Sequence, residues 1–177
     1  MVHSGMSANA VPMILTNIRP AVWNSDLKHL MDIDLKCFDD PWDELDWEQL
    51  FEDKKKGFCK ILIGSCLGIP TGFIVWTETA KSHGRIKRLG VRPMFRGKGV
   101  GSKLVEAVET SVLHNGGTEI FVDVTESICY QDGAQLTAWL RHREYLAAAI
   151  MSEGGVYNNQ IEDLVVFVKH FTEGSLA

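Results

Sequence analysis

The stretch Leu89-Gly90-Val91-Arg92-Pro93-Met94-Phe95-Arg96-Gly97-Lys98-Gly99-Val100-Gly101-Ser102-Lys103-Leu104 decides how this chain is read. Ile86 to Val91 reads as a strand, which Pro93 ends. Ser102 to His114 reads as a helix, with Leu104, Val105, Val108 and Val112 on one stripe. Between them the glycines Gly97, Gly99 and Gly101 alternate beside Arg96 and Lys98. A helix N-terminus offers N–H groups without intrahelical partners and the positive end of the dipole. Glycine lets the backbone approach an anion closely. Together these make a cradle for a phosphate or pyrophosphate; the alternative is a tight strand-to-helix turn with no ligand. The Walker pattern Gly-x-x-x-x-Gly-Lys-Ser/Thr fails, because Gly97 leads to Ser102-Lys103-Leu104. The dinucleotide pattern Gly-x-Gly-x-x-Gly fails too, because the spacing is Gly97-x-Gly99-x-Gly101.

Charge is distributed unevenly around this loop. From Lys81 to Lys103 there are eight Lys or Arg and no acid (Lys81, Arg85, Lys87, Arg88, Arg92, Arg96, Lys98, Lys103). The net charge is nevertheless −5, and Asp32 to Asp53 holds ten acids and one Lys. Such runs are ordinarily solvated faces, but here the basic one overlaps the glycine loop and favours an anionic ligand. The overall negative charge argues against general nucleic-acid affinity. With 45% hydrophobic and 23% charged residues in 177, the composition is that of a globular domain. We expect a flexible leader over 1–12 and a single domain over 13–177. No apolar run approaches the roughly 20 residues of a membrane helix, and no basic-then-apolar N-terminal signal is present. Cys37, Cys59, Cys66 and Cys129 form no C-x-x-C pair and no His lies at finger spacing, so no metal is expected. Scattered cysteines in apolar settings point to reduced thiols and a cytoplasmic protein.

Outward from the loop, Met13 to Arg19 is β-compatible and Pro20 closes it. Val22 to Phe38 has helical periodicity with an acidic outer face, and Asp39-Asp40-Pro41 breaks it. Trp42 to Phe51 reads as a second short helix. Phe58 to Cys66 and Thr71 to Thr77 read as strands around the turn Leu67-Gly68-Ile69-Pro70. Asn115-Gly116-Gly117 stops the helix after the loop. Glu119 to Thr125 puts Ile120, Val122 and Val124 on one face and Phe121 and Asp123 on the other. Gly133 to His142 reads as a helix and Leu164 to Phe171 as a strand. Tyr145 to Met151 is ambiguous: its alanines favour helix, yet Gly154-Gly155 comes soon after. The order implies a mixed α/β sheet with one strand–helix–strand crossover.

Arg96, Gly99 and Gly101 fill the pattern Arg/Gln-x-x-Gly-x-Gly/Ala, which resembles the acyl-CoA pyrophosphate loop of the GNAT N-acetyltransferase superfamily. The strand Ile-Lys-Arg-Leu-Gly-Val-Arg-Pro before it and the amphipathic helix after it agree, and the resemblance spans roughly residues 14 to 171. Cys37-Phe38-Asp39-Asp40-Pro41-Trp42 with Leu50-Phe51 is similar to a segment of the ribosomal-protein-alanine acetyltransferase branch. Pro-Trp after a helix is equally an ordinary hydrophobic staple. Gly155-Val156-Tyr157 and Glu162-Asp163-Leu164-Val165 resemble that branch's ending. The resemblance implies the GNAT acyl-CoA N-acyltransferase fold, a mixed, mostly antiparallel sheet flanked by helices. It also implies acetyl-CoA as co-substrate, held by Leu89, Gly90, Val91, Arg96, Gly97, Lys98, Gly99, Val100, Gly101 and Ser102.

The chemistry so implied is direct attack of an amine on the thioester. By family position the Val91 backbone N–H is the oxyanion donor, with Leu89 and Gly90 lining the acyl path. Gly90 inside a strand fits a bulge or a close backbone approach, or simple edge weakness. Asp123 stands where the related branch carries a Glu base; shorter than Glu, it would work through water, and the alternative is an Asp paired at a strand edge. The family's acid is a Tyr followed by x-x-x-Gly-Phe. Set against Trp139-Leu140-Arg141-His142-Arg143-Glu144-Tyr145, Leu140 stands at the Tyr and Glu144 at the Gly. Tyr130 lies nearby and could reach the sulfur, or serve only loop packing. His83, His114 and His142 are isolated and read as surface or core residues. The acidic Asp32–Asp53 run, which the resemblance puts at the acceptor wall, would concentrate cations, so a cationic acceptor is expected. That acceptor is a protein or peptide amine; the alternatives are a small-molecule amine or a non-catalytic acyl-CoA-binding module. Neither nucleic acid nor membrane is an expected partner, and the chain is expected to be a monomer or a homodimer.

Overall fold

The computed structural model describes residues 16–79, 83–129, 134–157 and 160–172. The expected leader, residues 1–12, lies outside them. The described chain runs β1 (Thr16–Pro20), α1 (Trp23–Cys37), α2 (Glu44–Lys55), β2 (Cys59–Cys66), β3 (Ile69–Glu78) and β4 (Gly84–Val91). A 3₁₀ turn (Pro93–Phe95) comes next, then α3 (Val100–His114), β5 (Glu119–Thr125), α4 (Ala134–His142), β6 (Leu146–Tyr157) and β7 (Gln160–His170). The strands form one sheet in the order β1-β2-β3-β4-β5-β7-β6. Every neighbouring pair is antiparallel except β4 and β5, which are joined through α3 and run parallel.

Alternation along the strands gives each face its own core. On one face Ile74, Trp76, Ile86, Ile120, Val124, Val165 and Phe167 pack under α3 and α4. On the other, Ile61, Ile63, Phe73 and Val75 pack under Leu30, Ile33, Trp47 and Phe51 of α1 and α2. Aspartates bond the starts of both helices on that second face. Asp43 and Asp46 form a reciprocal capping box at α2. At α1 the N-cap is Val22, which offers no side-chain acceptor. Asp26 takes its place: it accepts the Val22 N–H at 2.7 Å and a two-pronged Arg19 at 2.6 and 2.7 Å. The Arg19 bond holds the Asp26 carboxyl below its usual range.

The ambiguous alanine segment is a strand, β6, and its neighbours explain why. Helix α4 ends where Glu144 takes a left-handed φ of 68°. Tyr145 turns fully inward, donates to Glu109 at 3.1 Å, and its N–H bonds the Leu140 carbonyl. Burial drives the Tyr145 hydroxyl to titrate far above its ordinary range. The chain beyond Tyr145 must then run along β7, and pairing overrides alanine's helical preference. The four cysteines are unpaired thiols; three are buried and Cys37 is half-buried. No described helix is long and apolar enough to cross a membrane.

Glu144 occupies a backbone conformation that costs an L-residue roughly 1–2 kcal/mol. Among the described residues its side chain, 83% exposed, makes one ion pair, a 3.7 Å contact to Lys169. Glu144→Gly is therefore expected to raise stability by about 0.5–1 kcal/mol, read as a higher urea midpoint. A lower midpoint would show that the contact outweighs the strain.

Candidate active site

The sheet forks in its middle. β4 and β5 pair only at Gly84↔Ile120, Arg85↔Phe121 and Ile86↔Val122. The departure coincides with a bulge. In the β3–β4 ladder Trp76 pairs with Ile86 and Val75 with Arg88, so Lys87 has no partner in β3. A bulge bends its strand, here away from β5. Beyond it, residues 88–91 of β4 keep β3 on one side and, among the described residues, no strand on the other.

The side groups of that free edge follow from alternation. Arg92 N–H bonds Thr71 O at 2.9 Å, pointing at β3. One residue earlier, Val91 points its N–H and C=O away from β3 into the fork, and Leu89 does the same. The Val91 carbonyl accepts from Cys37 Sγ at 3.2 Å and from Arg96 Nε at 3.0 Å. Burial pushes the Cys37 thiol up. The side chains of Leu89 and Val91 lie with the core under α3, while Gly90 backs onto Phe73. A Cβ at Gly90 would stand 2.7 Å from Phe73 Cε1, so close approach is the reason for this glycine. The bulge lies three residues earlier, at Lys87.

At the mouth of the fork, Gly97 (φ 69°) and Gly99 (φ 86°) turn the chain from the 3₁₀ segment into α3. Gly99 is the N-cap and supplies no side chain, and the first turn contains no acid. The N–H groups of Val100, Gly101 and Ser102 therefore lack both intrahelical and capping partners. Nothing lies within 4 Å of a Cβ at Gly97. At Gly101 a Cβ would make only ordinary contacts, 3.6 Å to Val91 and 4.0 Å to Trp139, so this glycine sits where α3 passes the end of β4. Ser102 Oγ accepts from Trp139 Nε1 at 3.3 Å. Lys98 Nζ donates to Met94 O at 2.8 Å. The loop offers backbone donors and two cations to an anion, beside a free strand edge that could accept an extended amide-bearing chain.

A forked parallel step beside a glycine-capped helix also marks a known family. Residues 27–128, more than half of the chain, match the model of the acetyltransferase (GNAT) family. The chain belongs to the GNAT acetyltransferase family. Its fold is similar to the ribosomal-protein-S18-alanine N-acetyltransferase of Escherichia coli. The TM-score is 0.73 at 16% identity, over 92% of this chain and 99% of that one. It is also similar to Ard1 from Thermoplasma volcanium, with TM-score 0.74 at 17% identity over 89% and 99%. A GNAT family acetyltransferase from Elizabethkingia anophelis with acetyl-CoA bound gives 0.68 at 15% identity, over 88% and 98%. No curated protein sequence matches the chain.

Within this GNAT domain the charged runs meet each other. Arg88 is buried, donates from Nε to the fully buried Asp34 at 2.7 Å, and from Nη2 to Asp40 O at 2.7 Å. Its guanidinium lies 4.0 Å from the Phe38 ring centroid and 4.3 Å from that of Trp42. Trp42 N–H completes Asp34 at 2.6 Å. Arg92 joins Asp32 at 2.5 Å and Pro70 O at 2.8 Å. Arg85 grips Asp123 with both prongs, 2.7 Å each. Thus, among the described residues, Arg85, Arg88, Arg92 and Lys103 of the basic run meet acids, while Arg96 and Lys98 lie in the loop itself. The acidic run is engaged in part. Asp32, Asp34 and Asp40 serve arginines, Asp43 and Asp46 cap α2, Glu52 meets Lys55, and Asp53 accepts from Gln49. Among the described residues, Asp39, Glu44 and Glu48 remain without partners. Asp123, the carboxylate expected as base, is held by Arg85. Tyr130, the expected acid, lies outside the described residues. Among the described residues no cluster suits a metal ion.

Sequence reasoning misses two contributors at the fork. Cys37 enters it only as part of a motif, yet it bonds the free edge. Ser127 donates its N–H at 3.1 Å and its hydroxyl to Glu162, tying the end of β5 to β7. Neither contact has a local sequence signature, since each spans more than thirty residues.

Removing the Arg88 cation strands a buried carboxylate, which costs about 3–5 kcal/mol. Burial already raises the Asp34 carboxyl against the pull of Arg88 and Trp42 N–H. Without Arg88 it rises further, so the folded state takes up a proton the unfolded chain does not. Arg88→Met is expected to be strongly destabilised at pH 7 and to recover part of that loss as pH falls towards about 4, where free carboxylates titrate. Urea melts at several pH values measure this; a loss independent of pH would show that Asp34 is not the stranded group.

Proposed function

We propose that this chain is an acetyl-CoA-dependent N-acetyltransferase acting on a protein or peptide amine. The observation that carries the reading is the free edge of β4, with the N–H groups of Leu89 and Val91 turned into the fork. The glycine-capped start of α3 lies at its mouth. A pantetheine-like chain carries amides that match such an edge, and a pyrophosphate matches the loop. Acetyl-CoA supplies the activated thioester. Arg96, Gly97, Lys98, Gly99, Val100, Gly101 and Ser102 would hold its phosphates, Leu89 to Val91 its acyl arm. The Val91 N–H would donate to the carbonyl oxygen as negative charge develops there. Arg96, which caps the Val91 carbonyl, must swing outward for the arm to enter.

The acceptor reading rests on the sheet continuing past β4 into β5, β7 and β6. α1 and α2 pack on β2, β3 and β4, and β5, β7 and β6 extend the same face beyond them. An extended peptide fits such a shelf better than a compact amine needs it. Among the described residues, Asp32, Asp34, Asp40 and Glu52 of the run's ten acids meet a cation and the other six keep their charge, so a cationic acceptor stays part of the reading. Asp123 enters as a positioning group that orders the β4–β5 junction with Arg85. An amine proton seeking it must compete with a two-pronged guanidinium. The amine then loses its proton mainly to water, which favours an α-amino group (pKa about 8) over lysine (about 10.4).

At a hundredfold excess over Kd, acetyl-CoA or CoA should raise Tm by about 5–10 °C, while ATP and NAD should not. In a thiol-release assay kcat/KM should rise with pH through the acceptor's own amine pKa. Asp123→Asn should lower kcat less than about tenfold, against the 10²–10⁴-fold expected for a general base. A thermal shift with no thiol release from any peptide or small amine would overturn the enzymatic reading and leave an acyl-CoA-binding module.

A further inference from the structure

One contact of the glycine loop comes from outside it, from α4. Trp139 is half-buried there, and its indole Nε1–H donates to Ser102 Oγ at 3.3 Å. The neighbours of the ring hold it in place. A Cβ on Gly101 would stand 4.0 Å from Trp139 Cζ2. On α4 itself, the Arg143 guanidinium lies 5.7 Å from the centroid of the ring. Arg143 is ion-paired at 3.0 Å to the buried Glu109, which also accepts from the Tyr145 hydroxyl. A shielded ion pair therefore steadies Trp139, and Trp139 reaches across to the first turn of α3.

The direction of the Ser102 bond has a chemical consequence. A hydroxyl has one proton to give and two lone pairs to offer, whereas an indole N–H only donates. Trp139 occupies a lone pair of Ser102, so the Ser102 proton points elsewhere. Among the described residues no acceptor takes it. Ser102 is the third residue of α3, in the turn that follows the Gly99 cap. Without the indole its hydroxyl would be free to rotate and to fold back on the backbone.

We propose that Trp139 is a positioning residue for coenzyme A. It fixes Ser102 Oγ as an acceptor, so that the Ser102 O–H joins the N–H groups of Val100, Gly101 and Ser102 as a donor to the pyrophosphate. The inference rests on the acetyl-CoA reading above. A donor held in place before the anion arrives spares binding the cost of ordering it. Trp139 and Ser102 then act on the pyrophosphate as one unit, and their contributions to affinity are not additive.

Calorimetric titration of the full chain with CoA tests this on the parent, Trp139→Phe, Ser102→Ala and the double variant. Trp139→Phe keeps a ring against Gly101 and Arg143 and removes only the donor; circular dichroism checks that each variant is folded. Each single variant should raise the Kd for CoA about three- to tenfold, the worth of about one hydrogen bond. The double variant should bind as Ser102→Ala does. Ser102→Thr, which keeps a hydroxyl, should restore the sensitivity to Trp139→Phe. An unchanged Kd in Trp139→Phe would overturn the proposal. So would an equal loss from Trp139→Phe with and without the Ser102 hydroxyl, which would show that the ring acts through packing. A parent that does not bind CoA would overturn the acetyl-CoA reading itself, and this inference with it.

Discussion

The separation of β4 from β5 after Ile86 is the constraint around which the rest of the structure is arranged. A central strand ordinarily holds its place by hydrogen bonds on both sides, and β4 gives up one side for its last four residues. Arginines replace the missing ladder. Arg88 ties the strand to α1 through Asp34 and to the α1–α2 connection through Asp40 O. Arg92 ties its end to Asp32 and back to Pro70 O. Arg96 and Cys37 satisfy the outward carbonyl of Val91. Each bond leaves the outward N–H groups of Leu89 and Val91 uncommitted. A free strand edge would be a liability at the surface; under the proposed function it is the surface that takes the acyl arm.

The same constraint explains why the charges cluster in the sequence. The basic run follows one strand and the acidic run follows the helix and turn packed over it. Their alternation with apolar residues is strand-like in one and helical in the other, so the two meet as complementary faces. Arg88 shows what the pairing achieves beyond attraction. Burying its guanidinium between Phe38 and Trp42 demands a planar cation with several donors, which lysine would not provide. The pair fixes where the α1–α2 turn lies relative to the fork. Since desolvating both ions offsets much of their attraction, its contribution is better understood as placement than as bulk stability.

Much of this architecture is legible in the residues. The strand, glycine turn and helix from Ile86 to His114 carry strong local signals, and the periodicities of α1, α3, β2, β3, β5 and β7 lie close to their observed spans. The family pattern at Arg96, Gly99 and Gly101 leads to the fold that the comparisons support. β6 is not legible, because alanine is a helix former and only the pairing surface of β7 makes Leu146–Met151 extended. Glu144 shows the same limit: an acid gives no hint of a left-handed φ, which Tyr145 and its hydroxyl partner Glu109 impose. In the linear sequence the two charge runs resemble a ligand-facing and an acceptor-facing surface, because their mutual neutralisation exists only in the fold. Asp123 is legible in position and not in state, since its partner Arg85 lies 38 residues away on a neighbouring strand.

In the proposed reaction the Arg85–Asp123 pair would limit base catalysis by Asp123, and attack on a thioester would tolerate that limit. A thioester is already activated, and an α-amine is substantially neutral near pH 8. Alignment of the two along a rigid edge is itself worth several kcal/mol of barrier, through entropy surrendered on binding rather than in the transition state. The Val91 N–H, in the role proposed for it, would add a few more. With those terms in place a strong base is not needed for turnover, and an aspartate fixed by arginine is compatible with an active enzyme. On the proposed reading, the acceptor would then be selected by its amine pKa and by its fit beside β5, β7 and β6.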